Sequence, residues 1–166
     1  MRDKNIIWLY LFLLATLVDL GFVMEQNEEM RFYSKPLVLA SLILFFFFIS
    51  KPIRSTLLAK TILAALLFSW LGDVLLLWPH LFIYGLGAFL MAHLCYILGF
   101  RLAQEPEGRL DSWHFIRSFF YNLPIYFLAG FVFYLIFPNL GGLKIPVIAY
   151  ILVIVGMVTT ARARFK

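Results

Sequence analysis

Six runs of about twenty apolar residues, divided by short polar stretches, leave this chain few ways to fold. A helix needs about 20 residues to cross hydrocarbon, with a range of about 17–25. The runs are Ile6–Met24, Phe32–Ile49, Leu57–Trp78, Leu81–Phe100, Phe119–Phe137 and Ile145–Thr160. They predict an all-α polytopic membrane bundle of six transmembrane helices. Only 14% of the 166 residues are charged, against about 25% in soluble domains. That is too few charges to cover a globule in water. The chain has no linker, low-complexity tract or internal repeat, so residues 1–166 read as one transmembrane domain. The first run follows Met1-Arg2-Asp3-Lys4, as a signal peptide would, but Glu25, Gln26 and Asn27 follow it instead of a small-residue cleavage site. It is expected to be a first transmembrane helix.

The positive charges predict the orientation. Eleven of the fourteen Lys and Arg residues fall on one side if the runs alternate: at the N-terminus, around Lys51, Arg54 and Lys60, around Arg101, Arg109 and Arg117, and at Arg162, Arg164 and Lys166. Arg31, Lys35 and Lys144 fall on the other. Six spans with both termini in the cytoplasm follow, in the inner or plasma membrane if the cell is bacterial. The net charge of +5 is then a matter of topology. The basic residues form no stripe, and nucleic acid is not an expected partner. Trp8, Trp70, Trp78 and Trp113 read as interfacial aromatics near span ends or on polar helix faces.

The polar residues inside these runs are the candidate functional groups. A carboxylate in hydrocarbon costs roughly 2.5–3.5 kcal/mol even on lenient insertion scales. Asp73 sits in LLFSWLGDVLLLW, roughly 7–8 Å below the outer end of its span at 1.5 Å per residue. Asp19, Lys35, Tyr134 and Tyr150 fall at similar depths on other spans. Together they predict one polar layer that fits an amphipathic lipid head group. Ser69 lies four residues before Asp73 on the same helix face, and Gly72 beside it permits close helix approach. Gly85, Phe89, His93 and Tyr96 form a stripe on the fourth span. His93 is expected roughly 18 Å deep, roughly 10 Å below Asp73 and out of direct contact.

Each of these groups also has a structural reading. Asp73 can be held by Ser69 or Lys35, Asp19 and Lys35 can pair with each other, and His93 and Tyr96 can be interhelical hydrogen-bonding residues. His80 and His114 read as solvated histidines, and three scattered histidines make no metal site. Glu25, Glu28 and Glu29 read as a solvated loop. The single cysteine, Cys95, reads as a packed small hydrophobe.

Several of these segments resemble a known family. Lys35-Pro36-Leu37 opens the second span, and Ala64-Ala65-Leu66-Leu67-Phe68-Ser69-Trp70-Leu71-Gly72-Asp73 lies in the third. Gly85, Phe89, His93 and Tyr96 follow as GxxxFxxxHxxY, then Tyr150-Ile151-Leu152 with Met157. The pattern, over about residues 35–160, is similar to the YhhN-like family, whose characterised animal members are lysoplasmalogenases. The resemblance implies an integral membrane hydrolase, without cofactor or metal, that cleaves the vinyl ether of a lysophospholipid. The products are a fatty aldehyde and a glycerophospho head group. It implies Asp73 as the acid–base residue, with His93 and Tyr96 orienting water or the ether oxygen and Lys35 holding phosphate. Ser69, Asp19 and Tyr150 complete the expected substrate site. Family members continue for roughly two further spans with a Ser-Asp pair. This chain has no aspartate after Asp111, so it is expected to be C-terminally truncated relative to them, with Asp19 as the candidate second carboxylate. Two other classes fit the same residues: a small transporter using Asp73 and His93 as a proton or cation relay, and a non-catalytic membrane assembly protein.

Overall fold

Large apolar side chains face outward in this protein: Leu17 is 66% exposed, Leu152 67%, Phe127 74% and Ile145 80%. The buried hydrophobic residues are mostly alanines, at positions 59, 65, 88 and 92, with Leu66 and Val147. Lipid tails are as apolar as leucine, so large side chains gain nothing by turning inward, and small residues let helices approach. The computed structural model describes residues 3–103 and 112–163, with side-chain surroundings given for all of these except residues 3–5, 112–116 and 118. Arg2, Arg109, Asp111, Arg164 and Lys166 lie outside the described residues, as do the side chains of Lys4, Trp113 and His114.

Among the described residues there are six α-helices and no strand. They are α1 (Asp3–Met24), α2 (Glu28–Ile49), α3 (Leu57–Leu75), α4 (Phe82–Leu102), α5 (Ser112–Ile136) and α6 (Lys144–Ala163). All six are long and apolar enough to cross a membrane, as the six runs predict. α3 and α4 form the tightest pair, α1 packs on α2, α2 on α3 and α4 on α6, while α5 rests mainly on α6.

The helix ends differ from the sequence reading for local reasons. α2 starts at Glu28, not Phe32, because the Asn27 side chain accepts the Met30 backbone N–H at 3.1 Å and caps the helix. Glu28 and Glu29 therefore belong to its first turn, where carboxylates favour the positive end of the helix dipole, and Glu28 pairs with Arg31 at 3.0 Å. α1 reaches that cap through a tight turn in which Asn27 N–H donates to Phe22 C=O and Gln26 N–H to Val23 C=O. This is a Schellman closure, with Gln26 at φ +54° where glycine is usual. α3 stops at Leu75, not Trp78. Pro79 disfavours the helical region for the residue before it, and Trp78 is extended at φ −111°, ψ 117°. A single 3₁₀ turn, Pro79–Leu81, then starts α4.

Small residues set the α3–α4 register. A Cβ on Gly72 would meet the Phe89 ring at 2.7 Å, and one on Gly85 would lie 2.7 Å from Leu76 and 3.3 Å from the Gly72 carbonyl oxygen. At the other end of the seam a Cβ on Gly99 would meet Ile62 at 2.8 Å. Leu76 thus faces Gly85, Gly72 faces Phe89 and Ile62 faces Gly99, a constant antiparallel register along both helices. Trp70 fixes α2 against α3: its indole Nε1–H donates to the Pro36 carbonyl at 2.9 Å. That corrects the interfacial reading of Trp70. It sits within α3 and ties two helices together, because a buried indole N–H needs an acceptor.

Candidate functional site

Asp73 lies in the last turn of α3, two residues before the helix ends. The negative end of the helix dipole works against a carboxylate there. Lys35, two turns into α2, offsets it: Nζ stands 3.8 Å from Oδ1, and each side chain is 24% exposed. At that distance the two form an ion pair without a close hydrogen bond. Asp73 also feels the charge of Asp19. Of the pairings the sequence left open, Lys35 therefore takes Asp73 and not Asp19. Asp19 is satisfied by its neighbour on α2, the buried hydroxyl of Ser34, which donates to Oδ1 at 2.5 Å.

One helical turn below Asp73, on the same face of α3, is Ser69. It interacts electrostatically with Tyr96 on α4. Tyr96 is one turn from His93, three residues away on the same helix face. The His93 ring meets Tyr150 of α6 edge to face, with centroids 5.4 Å apart at 85°. His93 Nδ1 lies 2.5 Å from the Phe89 carbonyl oxygen. A carbonyl only accepts, so Nδ1 carries the proton; in the neutral ring Nε2 is then a free acceptor. Phe89, whose carbonyl fixes this tautomer, is the residue whose ring covers Gly72 beside Asp73.

Seven of the eight candidate residues thus fall on one polar line across five helices. Asp19 of α1 meets Ser34, next in sequence to Lys35 of α2; Lys35 meets Asp73 of α3; Ser69 meets Tyr96 of α4; and His93 meets Tyr150 of α6. The line is not the single layer expected from depth. Asp19, Lys35 and Asp73 share an upper tier, and Tyr150 leaves it to join His93 below. The α3–α4 register puts Asp73 level with Ala88, so His93 lies roughly 7–8 Å further along the bundle. No hydrogen bond or ion pair joins Asp73 and His93 among the described residues. Tyr134 leaves the group altogether: it is 75% exposed on the outside of α5.

Ser34 is the site residue that sequence reasoning missed. A serine in an apolar run carries little signal by itself, since it can satisfy its hydroxyl on its own helix. Its position next to Lys35 was the available clue. Among the described residues no three His, Cys, Asp or Glu side chains converge on a point that could hold a metal. Chemically the line offers an ion pair, a second carboxylate, four hydroxyls and an imidazole acceptor inside an apolar bundle. That set can bind a zwitterionic head group and move protons.

Comparison with known proteins gives a consistent result. The model of the YhhN family matches residues 30–166. Two relatives, each named Lysoplasmalogenase, come from Mycobacterium bovis and Mycobacterium tuberculosis, and each is 37% identical over 111 residues. Each match covers 61% of this chain and 39% of the relative, so the chain matches about two fifths of its relatives' length. No solved structure matches the chain.

Proposed function

This chain belongs to the YhhN family, and from that premise we propose that it is a lysoplasmalogenase-type hydrolase of the cell membrane. In this reading it cleaves the vinyl ether bond of a lysophospholipid to a fatty aldehyde and a glycerophospho head group. The observation that carries the proposal is the Lys35–Asp73 pair inside an apolar helix bundle. It sets a cation suited to phosphate beside a carboxyl group suited to proton transfer.

The chemistry follows from the substrate. A vinyl ether is protonated at the carbon next to the ether-bearing carbon, which leaves an oxocarbenium-like cation. Water adds to that cation to form a hemiacetal, which collapses by breaking the bond to the glycerol oxygen. Substrate phosphate takes over Lys35 and releases Asp73 from its ion pair. Asp73 then carries the transferable proton, delivers it to carbon, and as a carboxylate stabilises the cation and accepts a proton from the attacking water. Asp19 faces the cationic end of the head group. Ser69 and Tyr96 continue the polar line to His93, whose Nε2 accepts from water, and Tyr150 supports the edge of the imidazole.

A substrate panel tests this reading. Purified protein in lipid or detergent is given three single-chain phospholipids with the same head group, carrying a vinyl ether, a saturated ether or an ester. Aldehyde is expected from the vinyl ether alone, since only that linkage can be protonated on carbon. Release of fatty acid from the ester, or no product from any of the three, contradicts the proposal. Uptake of protons or cations into vesicles without product would favour a transporter.

A further inference from the structure

A groove of about 410 Å³ runs between α1 and α2, within the size range of about 300–1,000 Å³ typical of ligand pockets. Leu11, Ala15 and Val18 line it from α1, and Leu37, Ala40 and Ser41 from α2. Trp8 closes one end, stacked on Phe48 with ring centroids 5.4 Å apart. Ser34 stands at the other end, and its hydroxyl is the one bound to Asp19. The apolar groove therefore ends at the Asp19–Ser34 pair of the upper tier, and Lys35 is the next residue in sequence. From Trp8 to Val18 the groove spans roughly 15 Å at 1.5 Å per residue, about half of a hydrocarbon core of about 30 Å. That is the reach of one lipid chain in one leaflet. Val18 and Leu37 are 44% and 61% exposed, so the groove is open to lipid along its side.

We infer that the α1–α2 groove holds the single hydrocarbon chain of a lysophospholipid while Asp19 and Lys35 hold its zwitterionic head. The assignment rests on the proposed lysolipid substrate and adds to it the place of the tail. Charge complementarity chooses this groove over the one between α5 and α6, about 370 Å³, lined by Ala129, Gly130, Ile148 and Leu152 among others. That second groove meets none of the charged residues of the polar line. The α1–α2 groove ends at Ser34, which binds Asp19, a carboxylate for an ammonium, and is next in sequence to Lys35, a cation for a phosphate. It is lined by residues of two helices, α1 and α2.

Photolabelling separates this inference from the catalytic reading. A saturated-ether lysolipid with a diazirine at the tail end is bound to the intact protein, irradiated, and the labelled peptides are mapped. This analogue is not hydrolysed, so the result does not depend on turnover. Labels are expected on α1 and α2 near Trp8, Leu11 and Leu44, and an excess of unlabelled lysolipid should compete them away. Labels on α5 and α6, or labels spread over all six helices and not competed, overturn the inference. Ala40→Trp fills the groove and should lower competable labelling at least about tenfold, since one methylene in an apolar pocket is worth about 10–200-fold. Ala129→Trp, in the other groove, should leave it unchanged. Equal labelling of the two variants overturns the inference. Failure of the vinyl-ether panel with labels still confined to α1 and α2 would sink the hydrolase reading and leave a lysolipid-binding groove.

Discussion

Asp73 stands at the unfavourable end of the α3 dipole, in an apolar environment, close to a second carboxylate. Among the described residues Lys35 is the one counter-charge within 4.0 Å of it. The pair is a quarter exposed and 3.8 Å long, so its stabilising effect falls short of the roughly 3–5 kcal/mol lost on breaking a fully buried pair. Lys35→Met is expected to cost about 1–2 kcal/mol in thermal unfolding. The same change removes the proposed phosphate contact, a charged hydrogen bond worth about 1.5–3 kcal/mol. KM for a phospholipid substrate should rise roughly 10–100-fold, whereas Lys35→Arg should keep most of the binding. A Lys35→Met protein with unchanged KM would remove phosphate binding from Lys35. The polar residues of this site were legible because each stands out in an apolar run. Their partners were less legible: Asp19, Asp73 and Lys35 permit two pairings in sequence, and only the packing of α1 and α3 on either side of α2 chooses between them.

At the scale of elements, the α3–α4 pair positions the chemistry. Gly72 lets the Phe89 ring lie against α3, and the Phe89 carbonyl accepts a hydrogen bond from His93 Nδ1–H. Gly72→Ala pushes a methyl group to within 2.7 Å of that ring, an overpacking worth about 1–3 kcal/mol. Its melting temperature is expected to fall by several degrees, and the double variant with Phe89→Leu should recover most of the loss. Gly87, with nothing near its missing Cβ, should accept alanine without cost. Equal melting temperatures for Gly72→Ala and Gly87→Ala would refute the packing account. The spans themselves were readable from length and hydropathy to within a few residues. Their ends were not, because caps outweigh hydropathy: Asn27 starts α2 before its apolar run begins, and Pro79 ends α3 before its run is over.

The molecule as a whole is arranged for lipid, with alanine and glycine inside and leucine, phenylalanine and isoleucine outside. Within that arrangement one polar line crosses from α1 to α6 and takes in every candidate residue but Tyr134. The sequence could order residues by depth along a helix axis, which placed His93 below Asp73. It could not give the rotation of each helix or the offset of one helix against another. For that reason Tyr150 was placed level with Asp73 and is found beside His93, and Tyr134 was placed in the site and is found outside it. The account as a whole turns on Asp73 as the proton donor to carbon. The most direct measurement is the rate of aldehyde release from a vinyl-ether lysophospholipid by the intact protein and by its Asp73→Asn form, compared at equal folded amounts. General acid–base catalysis contributes about 10²–10⁴-fold, so a loss of at least about a hundredfold is expected. An Asp73→Asn protein that releases aldehyde at the unmodified rate would contradict the account.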